Sequence, residues 1–125
     1  MKFMLLCYDD EQAWQRAGAA AHQAAMQEAV QLTHELHAKG QYILSAPLQP
    51  VATATSVRIR DGKRSITDGP FAETREVLGG FHLIDVKDRD EALAIAARHP
   101  GARLGTVEVR PIVELPGLPD AKEIV

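Results

Sequence analysis

Apolar and polar positions along the chain alternate between strand-like and helix-like spacing. Lys2 to Tyr8 is an apolar run of strand length, stopped by Asp9-Asp10-Glu11. Phe3, Leu5 and Cys7 share one face and Met4, Leu6 and Tyr8 the other; both faces are apolar, which predicts a central strand. Asp9 to Gly18 reads as a polar connection carrying the only tryptophan, Trp14. Ala19 to Lys39 lacks Gly and Pro and is rich in Ala, Gln, Glu and Leu, which predicts a long helix stopped at Gly40. At helical spacing Ala25, Met26, Ala29, Val30, Leu32 and Leu36 fall on one arc, together with His22 and Thr33.

Gln41 to Leu48 reads as a second strand ending at Pro47. Ala52 to Arg60 alternates, and Asp61-Gly62 joins it to Lys63–Thr67, a strong hairpin signal. Leu78 to Lys87 is a further strand, with His82, Ile84 and Val86 on one face. Asp88 then has the character of an N-cap, with Glu91 completing a capping box for a helix that Pro100-Gly101 ends. Gly105 to Ile112 is the last strand, and Pro111, Pro116 and Pro119 mark an irregular tail.

The order is β-α-β, a hairpin, then β-α-β. Split βαβ units predict an α+β fold in which an antiparallel sheet carries two helices on one face. The other face would expose apolar surface, so a partner sheet is expected, most simply from a second copy in a homodimer.

Composition narrows the class. At 125 residues the chain fits one domain, 1–112, with a tail over 113–125. A net charge of −3, with interspersed signs, argues against a nucleic-acid partner. The lone Cys7 excludes an intramolecular disulfide or thiolate cluster and suits a reducing cytoplasm. The opening apolar run is too short for a signal peptide or membrane span.

The densest chemistry lies in Ile66–Asp85, ITDGPFAETREVLGGFHLID. Asp68-Gly69-Pro70 is a turn sequence, Phe71 its one large apolar side chain, and Glu73, Arg75 and Glu76 follow on an irregular segment. A polar loop between strands suits a pocket as well as a plain turn. His82, just after Gly79-Gly80, fits general acid-base work with a carboxylate such as Asp68 or Glu73; the alternative is a strand histidine facing solvent or a dimer contact. Glu108 and Arg110 share a strand face and, with Tyr8 and Phe71, are candidate substrate contacts; a cross-strand ion pair is the alternative for the first two. His34 and His37 lack an HExxH partner pattern and Cys7 sits in an apolar strand, so no metal is expected. Gly79-Gly80 belongs to no nucleotide-binding pattern, so no cofactor is expected either.

DGPFAETREVLGGFHLIDV followed by DRDEALAIAARHPGARLGTVEVRPI strongly resembles the DGPF group of YCII-related proteins, and MKFMLLCYDDE and HELHAKG fit the same pattern. The resemblance implies a ferredoxin-like fold assembled as a dimeric α/β barrel. It also implies a His-Asp active site in related proteins, with Asp68 as the motif aspartate; the position of His82 is often aromatic in the DGPF pattern. Family members are often encoded near alternative sigma factors, which implies a role in transcription. Two readings follow: a small-molecule binder or enzyme lined by Tyr8, Asp68, Glu73, His82, Glu108 and Arg110, and a regulatory dimer acting through protein contacts such as a sigma factor.

Overall fold

The computed structural model describes residues 1–119. The chain runs β1 (Lys2–Asp9), α1 (Glu11–Ala17), α2 (Ala19–Ala38), β2 (Tyr42–Pro47), a single 3-10 turn (Val51–Thr53), β3 (Thr55–Arg60), β4 (Lys63–Asp68), β5 (Val77–Asp85), α3 (Arg89–Arg98), α4 (Gly101–Leu104) and β6 (Gly105–Pro111). Its main sheet has the order β2-β5-β1-β6, with every pairing antiparallel. Split βαβ units on this antiparallel sheet are the α+β arrangement that the periodicity predicts, and they are consistent with the ferredoxin-like fold that the resemblance implies. The β3-β4 hairpin forms a separate two-stranded sheet. No helix among the described residues is long and apolar enough to cross a membrane.

One face of the sheet carries the core. Phe3 and Leu5 of β1, Ile84 of β5, Leu32 and Leu36 of α2, and Ala92, Ile95 and Ala96 of α3 form one buried cluster. Dehydration of these side chains is the main term holding both helices to the sheet. The opposite face is only half buried: Leu6 lies opposite Phe81, and Met4 and Leu44 opposite Leu83.

Local signals act where they were expected. The Glu91 amide donates to the Asp88 side chain at 2.9 Å, capping α3. Asp61 (φ 52°) and Gly62 (φ 74°) are both left-handed, as a type I′ hairpin turn requires. Past β6 the chain forms no helix or strand as far as residue 119; the rest of the expected tail, 120–125, lies outside the described residues.

Two differences from the pattern-based expectation shape the site. The polar connection after β1 contains a helix, α1, because the Asp10 side chain accepts from the amides of Gln12 and Ala13 and Gly18 (φ 97°) ends it. The arc of α2 does not pack throughout: Leu32 and Leu36 are buried, whereas Met26 and Val30 face a cavity.

Candidate functional site

That cavity lies between the core-side face of the sheet and the first half of α2. It begins at an irregularity in the β1-β5 ladder. Cys7 pairs with Gly80 but the next residue, Tyr8, pairs with Leu78, leaving Gly79 as the extra residue of a bulge. The absent side chain at Gly79 creates room for a carboxylate: a Cβ there would lie 2.8 Å from Oδ2 of Asp9. Gly80 is equally constrained, since a Cβ on it would lie 3.0 Å from the Ala46 carbonyl oxygen. The glycine pair thus lets β5 pass close to both neighbouring strands while Asp9 turns into the open space.

The inner cavity has a volume of about 170 Å³, and its polar walls are Asp9, His22, His82 and His99 beside Cys7. An outer cleft of about 530 Å³ shares Asp9, Trp14, His22 and Gly79 with it. Burial, reinforced by the nearby charge of Glu11, holds the Asp9 carboxyl above the usual range, while His22 pulls it back. Trp14 and His22 meet with ring centroids 5.2 Å apart, tilted by 59°, giving the wall an aromatic section.

At the inner end, ligand-type atoms of Cys7, His82 and His99 lie within 4.8 Å of one another, all three residues buried. Burial pushes the Cys7 thiol up to about 11, with the Asp9 charge acting in the same direction, so it is a neutral thiol. Burial likewise lowers His82 to about 4, helped by His99, and lowers His99. The trio has the composition of a metal site, but its protons do not fit one. The Gly101 amide donates to Nδ1 of His99 at 2.9 Å, so a neutral His99 carries its proton on Nε2, the atom 3.8 Å from Cys7 Sγ. Coordination through Nε2 would move that proton to Nδ1, against the amide N–H.

The loop after the hairpin is tied to the cavity's rim. Arg75 Nε donates to Oδ2 of Asp10 at 3.1 Å, and Thr106 donates to the Glu76 side chain at 3.0 Å. Glu11 in turn accepts from the Val51 amide at 2.9 Å, holding the connection after β2 against α1.

Residues 1–116 match the YCII-related domain. The chain belongs to the YCII-related family. A relative from Rhizobium meliloti, an uncharacterized protein, is 34% identical over 114 residues, covering 90% of this chain and 92% of that one. Among solved structures, 5-chloro-2-hydroxyhydroquinone dehydrochlorinase (TftG) from Burkholderia phenoliruptrix, in complex with 2,5-dihydroxybenzoquinone, superposes with a TM-score of 0.54. That likeness covers 90% of this chain and 94% of the other at 13% identity, and it shows a common fold.

Within this YCII-related protein the sequence-predicted residues separate into three places. His82 and Tyr8 line the inner cavity. Asp68, Phe71 and Glu73 are exposed along the end of β4 and the loop that follows, Phe71 to 81%, and none of them lines either cavity. Ser56 and the Ala54 carbonyl fix this loop by bonding the Gly69 backbone at 2.8 and 2.7 Å. Glu108 and Arg110 are exposed opposite Leu6 and Met4 on the sheet's other face. Asp9, Trp14, His22 and His99 are the cavity residues that pattern reading passed over. The only available signal for Asp9 was its place at the end of an apolar strand; His22, which its spacing places on the apolar arc of α2, is exposed against Trp14.

Proposed function

We propose that this YCII-related protein binds a small molecule in the cavity under α2 and processes it by proton transfer, with Asp9 as the exchanging carboxylate. The observation that carries the reading is the placement of Asp9: half buried, held above the ordinary carboxylate range, and housed by the missing side chain of Gly79. A carboxylate in such surroundings is a stronger base than one in water and is also readily protonated, which suits an acid-base role. The flat wall of Trp14 and the small residues Ala25 and Ala29 favour a compact planar ligand. A dehydrochlorinase of the same fold, solved with 2,5-dihydroxybenzoquinone, is in keeping with a small oxygenated ring.

Asp68 and Glu73, the carboxylates around the DGPF turn, are the alternative bases. A thermal-shift screen of hydroxylated aromatics, quinones and small keto acids tests both assignments. A ligand at a hundred times its dissociation constant stabilises by about 2.7 kcal/mol, raising the melting point of so small a domain by several degrees. Turnover of a hit that is lost in Asp9→Asn and kept in Asp68→Asn and Glu73→Gln supports the reading. The reverse pattern assigns the chemistry to the DGPF loop, and absence of any hit removes the small-molecule reading.

The half-exposed face of Leu6, Leu44, Phe81 and Leu83 supports a homodimer joined sheet to sheet. Light scattering on the wild type and on Leu6→Lys measures this directly; equal, monomeric masses would reject it.

A further inference from the structure

The two connected cavities differ in what they can hold, and together they select the charge of a ligand. An apolar cavity of about 150 Å³ takes a single benzene ring. The inner cavity, at about 170 Å³, therefore admits one ring and little more. Whatever is attached to that ring must lie in the outer cleft of about 530 Å³, past Asp9, Trp14 and His22, which border both spaces.

The formal charge along this path has one sign. Asp9 and Glu11 line the cleft, and no Lys or Arg among the described residues lines either cavity. Neither carboxylate has an ion-pair partner among the described residues, whereas Asp10 between them is engaged by Arg75 at 3.1 Å. Burial first, then the negative charges of Glu11, Asp10 and Glu76, hold the Asp9 carboxyl high, with His22 opposing them. Glu11 is fixed in place, because one of its oxygens accepts from the Val51 amide at 2.9 Å. Helix α2 also reaches the cleft through Gly18 and Ala19, but a helix N-terminus carries only about half a positive charge, against two carboxylates here. Trp14 stands three positions after Glu11 on α1, so indole and carboxylate are neighbours on one helix face. An aromatic surface beside a carboxylate is what an organic cation prefers.

We propose that the outer cleft is an ammonium subsite: the ligand places an oxygenated ring in the inner cavity and a short protonated amine against Glu11 and Trp14. This deepens the proposed small-molecule function and rests on it. Asp9, at the junction, meets the ring, while Glu11, which lines only the outer cleft, meets the cation. A ligand of the same size ending in a carboxylate or phosphate would meet two like charges and no counter-charge, and is rejected.

The test is isothermal titration calorimetry of the whole protein at neutral pH with three probes that share one phenol ring: tyramine, para-ethylphenol and para-hydroxyphenylacetate. Tyramine is expected to bind about tenfold more tightly than para-ethylphenol, and the acid more weakly than either. In Glu11→Gln, which keeps an acceptor for the Val51 amide, tyramine should fall to the affinity of para-ethylphenol. Equal affinities across the three, or a preference for the acid, overturn the inference, as does a tyramine preference that persists in Glu11→Gln. Absence of binding by all three overturns it as well, and the broader ligand screen then decides the small-molecule reading alone. Binding without charge preference removes the subsite and leaves the cavity as a small-molecule site. A charge preference without turnover leaves the subsite and removes the proton transfer.

Discussion

The carboxylate of Asp9 occupies the space that a side chain on Gly79 would need: a Cβ at Gly79 would lie 2.8 Å from Oδ2 and 3.2 Å from Cγ of Asp9. One residue is absent so that another can turn inward. Gly79→Ala should therefore displace Asp9 while leaving the buried cluster of β1, β5 and the helices intact. The expected outcome is a folded protein that loses any ligand response shown by the wild type, accompanied by a fall of the Asp9 pKa toward its ordinary value. Carboxyl-detected NMR titration of both proteins checks this.

Acid should weaken the fold through His82. Its folded-state value is about 4 against an ordinary 6.5, so the unfolded chain binds the proton more tightly. The associated stability is present above pH 6.5 and is lost as pH falls toward 4, by roughly 3 kcal/mol. His99, also lowered, acts in the same direction. Replacing the imidazole in His82→Leu removes one of these groups along with its enclosed, unpartnered nitrogen. Urea unfolding across this pH range should show a flatter acid slope for the variant.

Asp9 has the opposite sign. A folded-state value held above the ordinary one means that stability is greatest when the carboxyl is protonated and declines as pH rises through the folded value. Asp9→Asn is thus expected to melt higher than the wild type at neutral pH and equally in strong acid, while losing function. Scanning calorimetry at two pH values separates these outcomes.

Helix α3 carries His99 at its C-terminal end, so its N-cap matters to the cavity. Asp88→Ala removes the acceptor of the Glu91 amide and should cost about 1 kcal/mol, read as a lower denaturation midpoint at unchanged slope.

Much of the architecture was legible because it rests on local rules. The apolar run of β1, the long Gly- and Pro-free stretch of α2, the Asp61-Gly62 turn and the Asp88 cap each signal their element within a few residues. Helix α1 was missed because it spans only seven residues with no buried position, although Asp10 and Gly18 are sound start and stop signals. The candidate site is a different case. Its residues come from β1, α1, α2, β5 and the end of α3, and only pairings such as Cys7 with Gly80 bring them together. His82 was recognisable from its place after two glycines; His99 gave no comparable signal, being one residue beyond a helix whose docking on the sheet no local rule supplies. The DGPF turn drew the reading toward Asp68 because its chemistry is dense, whereas the cavity recruits this stretch through its far end, Gly79 to His82.

One carboxylate at the rim has two tasks. Through Oδ1 Asp10 holds the first amides of α1, and through Oδ2 it receives Arg75 from a segment 65 positions away. A drift at either position changes the needs of the other, so across relatives positions 10 and 75 are expected to vary as a couple. An alignment in which arginine at 75 persists without an acid at 10 would show that the two histories are separate.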